Sequence, residues 1–130
     1  MSTKKIWTNG CYDILHVGHI ALFEYAKSLG DQLIVGIDSD KRVKELKGNS
    51  RPFNCETDRK KMLESIKYID QVFIFETQEE MCDILRYNSI DIIVIGDEYK
   101  HRQVTGSNIV KEVIYFPKIT GYSTTSILDK

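Results

Sequence analysis

The chain has 130 residues, 42% hydrophobic and 28% charged, which is the size and make-up of one globular domain spanning residues 1–130. Its 18 Lys and Arg against 19 Asp and Glu leave a formal net charge of −1, so no partner held by bulk charge is expected, neither nucleic acid nor an anionic membrane. Three cysteines (Cys11, Cys55 and Cys82) without C-x-x-C spacing, and apolar runs no longer than stretches such as Ile92–Ile95, exclude a disulfide scaffold and a membrane helix. The first residues carry Lys4 and Lys5 but no apolar run behind them, so no signal peptide is expected and a cytoplasmic setting is.

In chain order, Ile6-Trp7-Thr8 reads as a first strand stopped by Asn9-Gly10. Leu22, Phe23, Ala26 and Leu29 share one helical face, with Gly30 as the stop. Gln32 to Ile37 is apolar on both faces, as a central strand is. Asp38-Ser39-Asp40 can cap a short basic helix through Leu46, ended by Gly48. Asn54 precedes Glu56 and Asp58 as an N-cap, and Met62, Leu63, Ile66 and Ile69 supply the buried stripe. Val72–Phe75, Asp91–Ile95 and Val113–Phe116 are the remaining strands, with a helix burying Met81, Ile84 and Leu85 between the first two. Ser123 can cap a last short helix carrying Ile127 and Leu128.

Strands alternating with helices at this spacing predict an α/β fold, a Rossmann-like doubly wound parallel sheet of about five strands in the order 3-2-1-4-5. Such sheets bind ligands beyond the carboxyl ends of their strands, at the switch point beside the first strand. Segments following the first, fourth and fifth strands therefore converge on one crevice.

The segment Thr8-Asn9-Gly10-Cys11-Tyr12-Asp13-Ile14-Leu15-His16-Val17-Gly18-His19 leaves the first strand and opens the first helix. Gly10 permits a tight turn and close backbone approach to an anion. His16 and His19 fall on one side of the first helical turn, and Gly18 removes a side chain where a phosphate comes close. The helix start adds unpaired N–H groups and partial positive charge. A bare H-x-x-H is more often a core or surface pair, or half of a zinc site, than a catalytic dyad. Zinc needs a third ligand, and the remaining histidine, His101, lies in a polar loop.

The run from Gly10 to His19 resembles the G-x-F-D-x-x-H-x-G-H signature of the cytidylyltransferase-like nucleotidyltransferases, with Tyr12 in place of the usual Phe. That family includes glycerol-3-phosphate cytidylyltransferase and the adenylyltransferase domain that makes ADP-heptose. The likeness extends from Lys5 to about Leu128. It implies transfer of a nucleotidyl group from an NTP (ATP or CTP) to a phosphorylated sugar or polyol, with pyrophosphate leaving and Mg²⁺ accompanying the NTP. It also implies His16 and His19 as catalytic groups, and nucleotide contacts at Gly10, Cys11, Tyr12 and Gly18. Relatives are commonly dimers, so a homodimer is a further expectation of the resemblance.

Two other segments match the family. Gly121-Tyr122-Ser123-Thr124-Thr125 is, on local physics, a glycine turn and a helix cap. By resemblance Gly121, Ser123, Thr124 and Thr125 bind phosphates, and Lys118 stands where the glycerol-3-phosphate enzymes have Arg. Gly96-Asp97, after the fourth strand, matches the segment bordering the nucleoside pocket. The charged stretch Lys41 to Arg51 reads as a solvated helix face, yet relatives use a lysine in an L-K-G context on phosphate. Lys47 aligns best as a catalytic cation, with Lys44, Arg51 and Arg59 as candidates for the acceptor phosphate. Arg51-Pro52-Phe53-Asn54, Val104-x-Gly106 and the Gly121 segment resemble the ADP-heptose branch. Adenylyl transfer to a heptose-1-phosphate-like sugar is accordingly favoured, with CTP-dependent transfer to glycerol 3-phosphate as the alternative. A non-catalytic nucleotide-binding module and a zinc hydrolase are the other classes.

Overall fold

In the computed structural model, which describes residues 3–97 and 103–117, the chain begins with strand β1 (Lys5–Gly10) and helix α1 (Val17–Ser28). Strand β2 (Gln32–Asp38), helices α2 (Asp40–Lys47) and α3 (Glu56–Glu64), strand β3 (Gln71–Phe75) and helix α4 (Gln78–Tyr87) follow. Strands β4 (Ile92–Gly96) and β5 (Glu112–Phe116) complete one five-stranded sheet, ordered β3-β2-β1-β4-β5 and parallel throughout. This is the α/β order that the alternation of strands and helices predicts. The order reverses between β1 and β4, so the crevice beyond Gly10 and Gly96 is the switch point.

Alternation along each strand sorts the core into two layers. Ile6, Leu33, Val35, Ile37, Ile92 and Val94 face Phe23 and Ala26 of α1 and Leu63 of α3. Trp7, Ile34, Ile93 and Ile95 face Met81 and Leu85 of α4. Gly36 is glycine because Trp7 occupies its place: a Cβ there would lie 2.3 Å from the indole ring.

Several local expectations are corrected. β1 does not stop at Asn9-Gly10, because Asn9 pairs with Gly36 and Gly10 with Ile37. The Asn9 side chain takes the Trp7 indole N–H at 2.9 Å instead of making a turn. Asn54 is not the cap of α3; Cys55 holds that position, and Asn54 is spent on Asp13. Met62 is exposed, and the inward face of α3 is Arg59 and Leu63, one turn apart. Gly48 ends α2 with φ 96°, in the left-handed region that favours glycine. The last helix expected around Ile127 and Leu128 lies outside the described residues.

Candidate active site

His16 is the N-cap of α1. Its Nδ1 accepts the backbone N–H of Gly18 at 3.1 Å, and its own backbone N–H donates to Nδ1 of His19 at 3.2 Å. This is a capping box built from two imidazoles in place of Ser and Glu. Because each Nδ1 is an acceptor, each ring carries its proton on Nε2, on the far side from the helix amides. The rings stack with centroids 3.8 Å apart. Burial lowers the pKa of both, that of His19 to about 4, with His16 beside it pushing in the same direction. The pair is thus two neutral N–H donors at neutral pH. No acidic residue stands in the first turn of α1 to cancel the positive end of the helix.

Between β1 and this helix, Tyr12 adopts φ 50°, a left-handed conformation that costs a non-glycine residue about 1 kcal/mol. Its ring turns inward, edge-on to His19 and to Phe23 at 5.2 Å each, and its hydroxyl lies 3.3 Å from Thr8 Oγ1. The missing side chain of Gly10 makes room for that ring, since a Cβ there would meet it at 3.1 Å.

Asp13 is buried and carries no role in the sequence analysis, yet it organises the far side of the crevice. Its carboxylate accepts the backbone N–H groups of Phe53 and Asn54, each at 2.7 Å, and Nε of Arg51 at 3.1 Å. The Asn54 amide returns to the Asp13 carbonyl at 2.6 Å. Burial works against ionisation of this carboxyl. The two N–H donors and the Arg51 guanidinium outweigh it and hold the pKa below the ordinary value. No periodicity in the sequence signals this clamp. Arg51 is thereby fixed by one edge of its guanidinium against the segment between β1 and α1.

Arg59 is corrected as a candidate for the acceptor phosphate. It is 1% exposed, and its guanidinium donates to the carbonyls of Asn54, Cys11 and Asp38 and to the Asp40 carboxylate, at 2.8–3.0 Å. These bonds tie the ends of β1 and β2 to the starts of α2 and α3. The Cys11 thiol is likewise buried. Burial raises its pKa, while the Lys47 ammonium and the Arg59 guanidinium pull the other way. Lys44 and Lys47 are both exposed in the last turn of α2.

Gly96 ends β4 beside β1, and Asp97 follows it, exposed. Gly121, Ser123, Thr124, Thr125, Lys118 and His101 lie outside the described residues. Among the described residues no three His, Cys, Asp or Glu side chains gather as a metal site, and no helix is long and apolar enough to cross a membrane. A cavity of about 300 Å³ between Lys4, Asp91, Lys111 and Glu112 opens at the amino ends of the strands, at the opposite end of the sheet from the β1–α1 segment that carries His16.

A helix start of this kind, at the switch point of a parallel sheet, defines an α/β nucleotide-binding domain. The chain belongs to the cytidylyltransferase-like family of nucleotidyltransferases, whose model matches residues 7–130. It is 43% identical over 125 residues to the bifunctional protein HldE of Campylobacter fetus, covering 96% of this chain and 27% of that one. To the bifunctional protein HldE of Nitratiruptor sp. it is 45% identical over 127 residues, 98% of this chain and 27% of the relative. The chain thus spans about a quarter of the length of these relatives. Among solved structures, a lipopolysaccharide core biosynthesis protein from Thermoplasma volcanium superposes with a TM-score of 0.71 at 24% identity, covering 91% of this chain and 99% of that chain. A pantoate-β-alanine ligase from Francisella tularensis superposes at 0.62 with 17% identity, covering 88% and 59%. Both superpositions concern the fold alone.

Proposed function

We propose that the chain transfers an adenylyl group from ATP to a heptose-1-phosphate-like sugar, releasing pyrophosphate. The observation that carries the transfer chemistry is the paired use of Nδ1 in His16 and His19, which makes both rings neutral Nε2–H donors at a helix start. An acceptor phosphate oxygen attacks the α-phosphorus in line, a new P–O bond forms, and the bond to the bridging oxygen of pyrophosphate breaks. No protein nucleophile and no proton transfer are needed, so catalysis rests on positioning and on donors aimed at developing charge.

In this reading His16 and His19 donate to oxygens around the α- and β-phosphates, and the backbone of the Gly10–Tyr12 segment and of Gly18, where no side chain stands, lines the approach. Gly96 and Asp97 border the nucleoside. Lys47 neutralises the triphosphate, and Lys44 and Arg51 meet the acceptor phosphate. Gly121, Ser123, Thr124 and Thr125 add phosphate contacts from their segment. Mg²⁺ accompanying the NTP would supply charge screening for the leaving pyrophosphate.

The sugar acceptor is supported by the Arg51–Asn54 segment, whose role in the clamp with Asp13 gives it a defined place against the segment between β1 and α1. It is also supported by the likeness to one part of the bifunctional HldE proteins. A cytoplasmic setting fits three unpaired thiols. A homodimer remains part of the proposal through the family resemblance. The test is pyrophosphate release across the four NTPs with a panel of sugar and polyol phosphates. ATP with a heptose 1-phosphate is the expected pair; release only with CTP and glycerol 3-phosphate would replace this reading by the cytidylyl one.

A further inference from the structure

We propose that Tyr12 is a positioning residue for His19, and that its hydroxyl bond to Thr8 anchors the ring that sets the imidazole in place. Four observations converge on it. The Tyr12 backbone sits at φ 50°, a conformation a bulky residue holds only where its surroundings impose it. The ring stands edge-on to His19, 86° from its plane with centroids 5.2 Å apart, and packs against Phe23 on the same helix. Gly10 leaves open the volume the ring fills. The hydroxyl reaches back 3.3 Å to Thr8, which is buried in β1.

His19 is otherwise held at Nδ1 by the backbone N–H of His16 and on one face by the stacked His16 ring, 3.8 Å away between centroids. The hydrogen bond fixes where that nitrogen lies and the stacked ring limits tilt, but both leave the imidazole free to turn within its own plane. An aromatic wall at right angles removes that freedom and so determines where Nε2–H points. Tyr12 is itself fixed at both ends, by its strained backbone and by the Thr8 hydroxyl in the most central strand. The imidazole is therefore referenced to the sheet and not only to the first turn of α1. Phenylalanine at this position supplies the wall without the anchor; the hydroxyl is what this chain adds. On this account the Tyr12 side chain does not touch the nucleotide.

The inference rests on the nucleotidyl-transfer reading for its kinetic arm only. Tyr12→Phe, Thr8→Val, the double variant and Tyr12→Leu are compared with the parent for kcat, for KM of both substrates and for the ¹⁵N resonances of His19. Tyr12→Phe and Thr8→Val should each lower kcat about threefold, with both KM values within twofold. The double variant should be no worse than either single one, because the two remove the same bond. Tyr12→Leu should lower kcat at least tenfold and shift the His19 Nε2 resonance, and phenylalanine at position 12 should restore most of both. Parental kcat and parental His19 resonances in Tyr12→Phe and Thr8→Val overturn the anchor, whether or not Tyr12→Leu folds. A KM for the NTP raised tenfold at unchanged kcat in Tyr12→Leu overturns the positioning role in favour of nucleotide contact. Shifted His19 resonances in a chain that transfers no nucleotidyl group with any NTP and acceptor would sink the transfer reading and leave this one standing.

Discussion

Arg51 and Asp13 are 38 residues apart in the chain, and Nε of one lies 3.1 Å from Oδ2 of the other. The carboxylate is also the acceptor for two backbone N–H groups of the same loop, so the pair sets the position of residues 51–54 as a unit. Asp13→Ala strands these donors and should cost about 3–5 kcal/mol of stability by urea unfolding. Because the folded-state pKa of Asp13 is lowered, the unfolded chain holds a proton that the folded chain lacks between that value and about 3.8. Stability contributed by the clamp is therefore complete above that window and is lost as pH falls through it. The stability gap between the parent and Asp13→Asn should narrow below about pH 4.

His19, with a pKa of about 4 against 6.5 in an open chain, gives the same sign by another route. The unfolded chain is protonated there first as pH falls, so about 3 kcal/mol of stability should disappear between about pH 6.5 and pH 4. At neutral pH the ring should show the Nε2–H tautomer by ¹⁵N spectroscopy. No step in kcat near pH 6.5 should be traceable to it.

His16 combines two duties that substitution can part. His16→Ala removes the cap and the donor together, costing about 1 kcal/mol of stability and about 10²-fold in turnover. His16→Asn offers a good capping acceptor without the imidazole. It should recover the thermal midpoint and leave turnover low. Recovery of turnover in the Asn variant would mean that the cap alone matters.

Arg59 should behave as a structural cation. Arg59→Met leaves the Cys11, Asp38 and Asn54 carbonyls and the Asp40 carboxylate without their donor, a loss of about 3–5 kcal/mol. Arg59→Lys should rescue little of this, since a single ammonium cannot span four acceptors that a planar fork reaches. In whichever variant folds, KM for the acceptor phosphate should stay within twofold of the parent.

Lys47→Met keeps the apolar stem of an exposed side chain at the end of α2 and deletes its charge. Use of the NTP, measured as kcat/KM, should weaken by about 1–3 kcal/mol, with little change in unfolding midpoint. If both substrates are used within twofold of the parent, Lys44 or Arg51 becomes the better phosphate partner.

The fold was legible because its signals are periodic and local. Apolar runs such as Gln32–Ile37, alternating with helix-spaced residues such as Met81 and Leu85, are enough to imply the sheet order. The two histidines could be placed at a helix start for the same reason, whereas the turn expected at Asn9-Gly10 is strand and the left-handed residue is Tyr12. The clamp and the buried guanidinium were not legible. Arg59 on a polar helix reads as a cation awaiting an anion, until the fold delivers three carbonyls from three separate segments to it. Asn54 before two acids has the chemistry of a cap, and only the approach of Asp13 from 41 residues away takes it from that duty. Met62 and Arg59 exchanged their expected places for this reason: a side chain that satisfies four acceptors goes inside at the expense of an apolar one that satisfies none.

The absent side chain at Gly36 ties three positions into one inheritable unit. With the Trp7 ring filling that space and Phe75 3.1 Å from where a Cβ would stand, an alanine at 36 is tolerable only in a chain that has first reduced the indole. A smaller residue at 7, taken alone, leaves a void in the layer beneath α4. Neither change is accessible by itself without a less stable intermediate. A lineage carrying this trio can leave it only through paired substitutions, and a redesign of that layer must draw residues 7, 36 and 75 together from a joint repertoire.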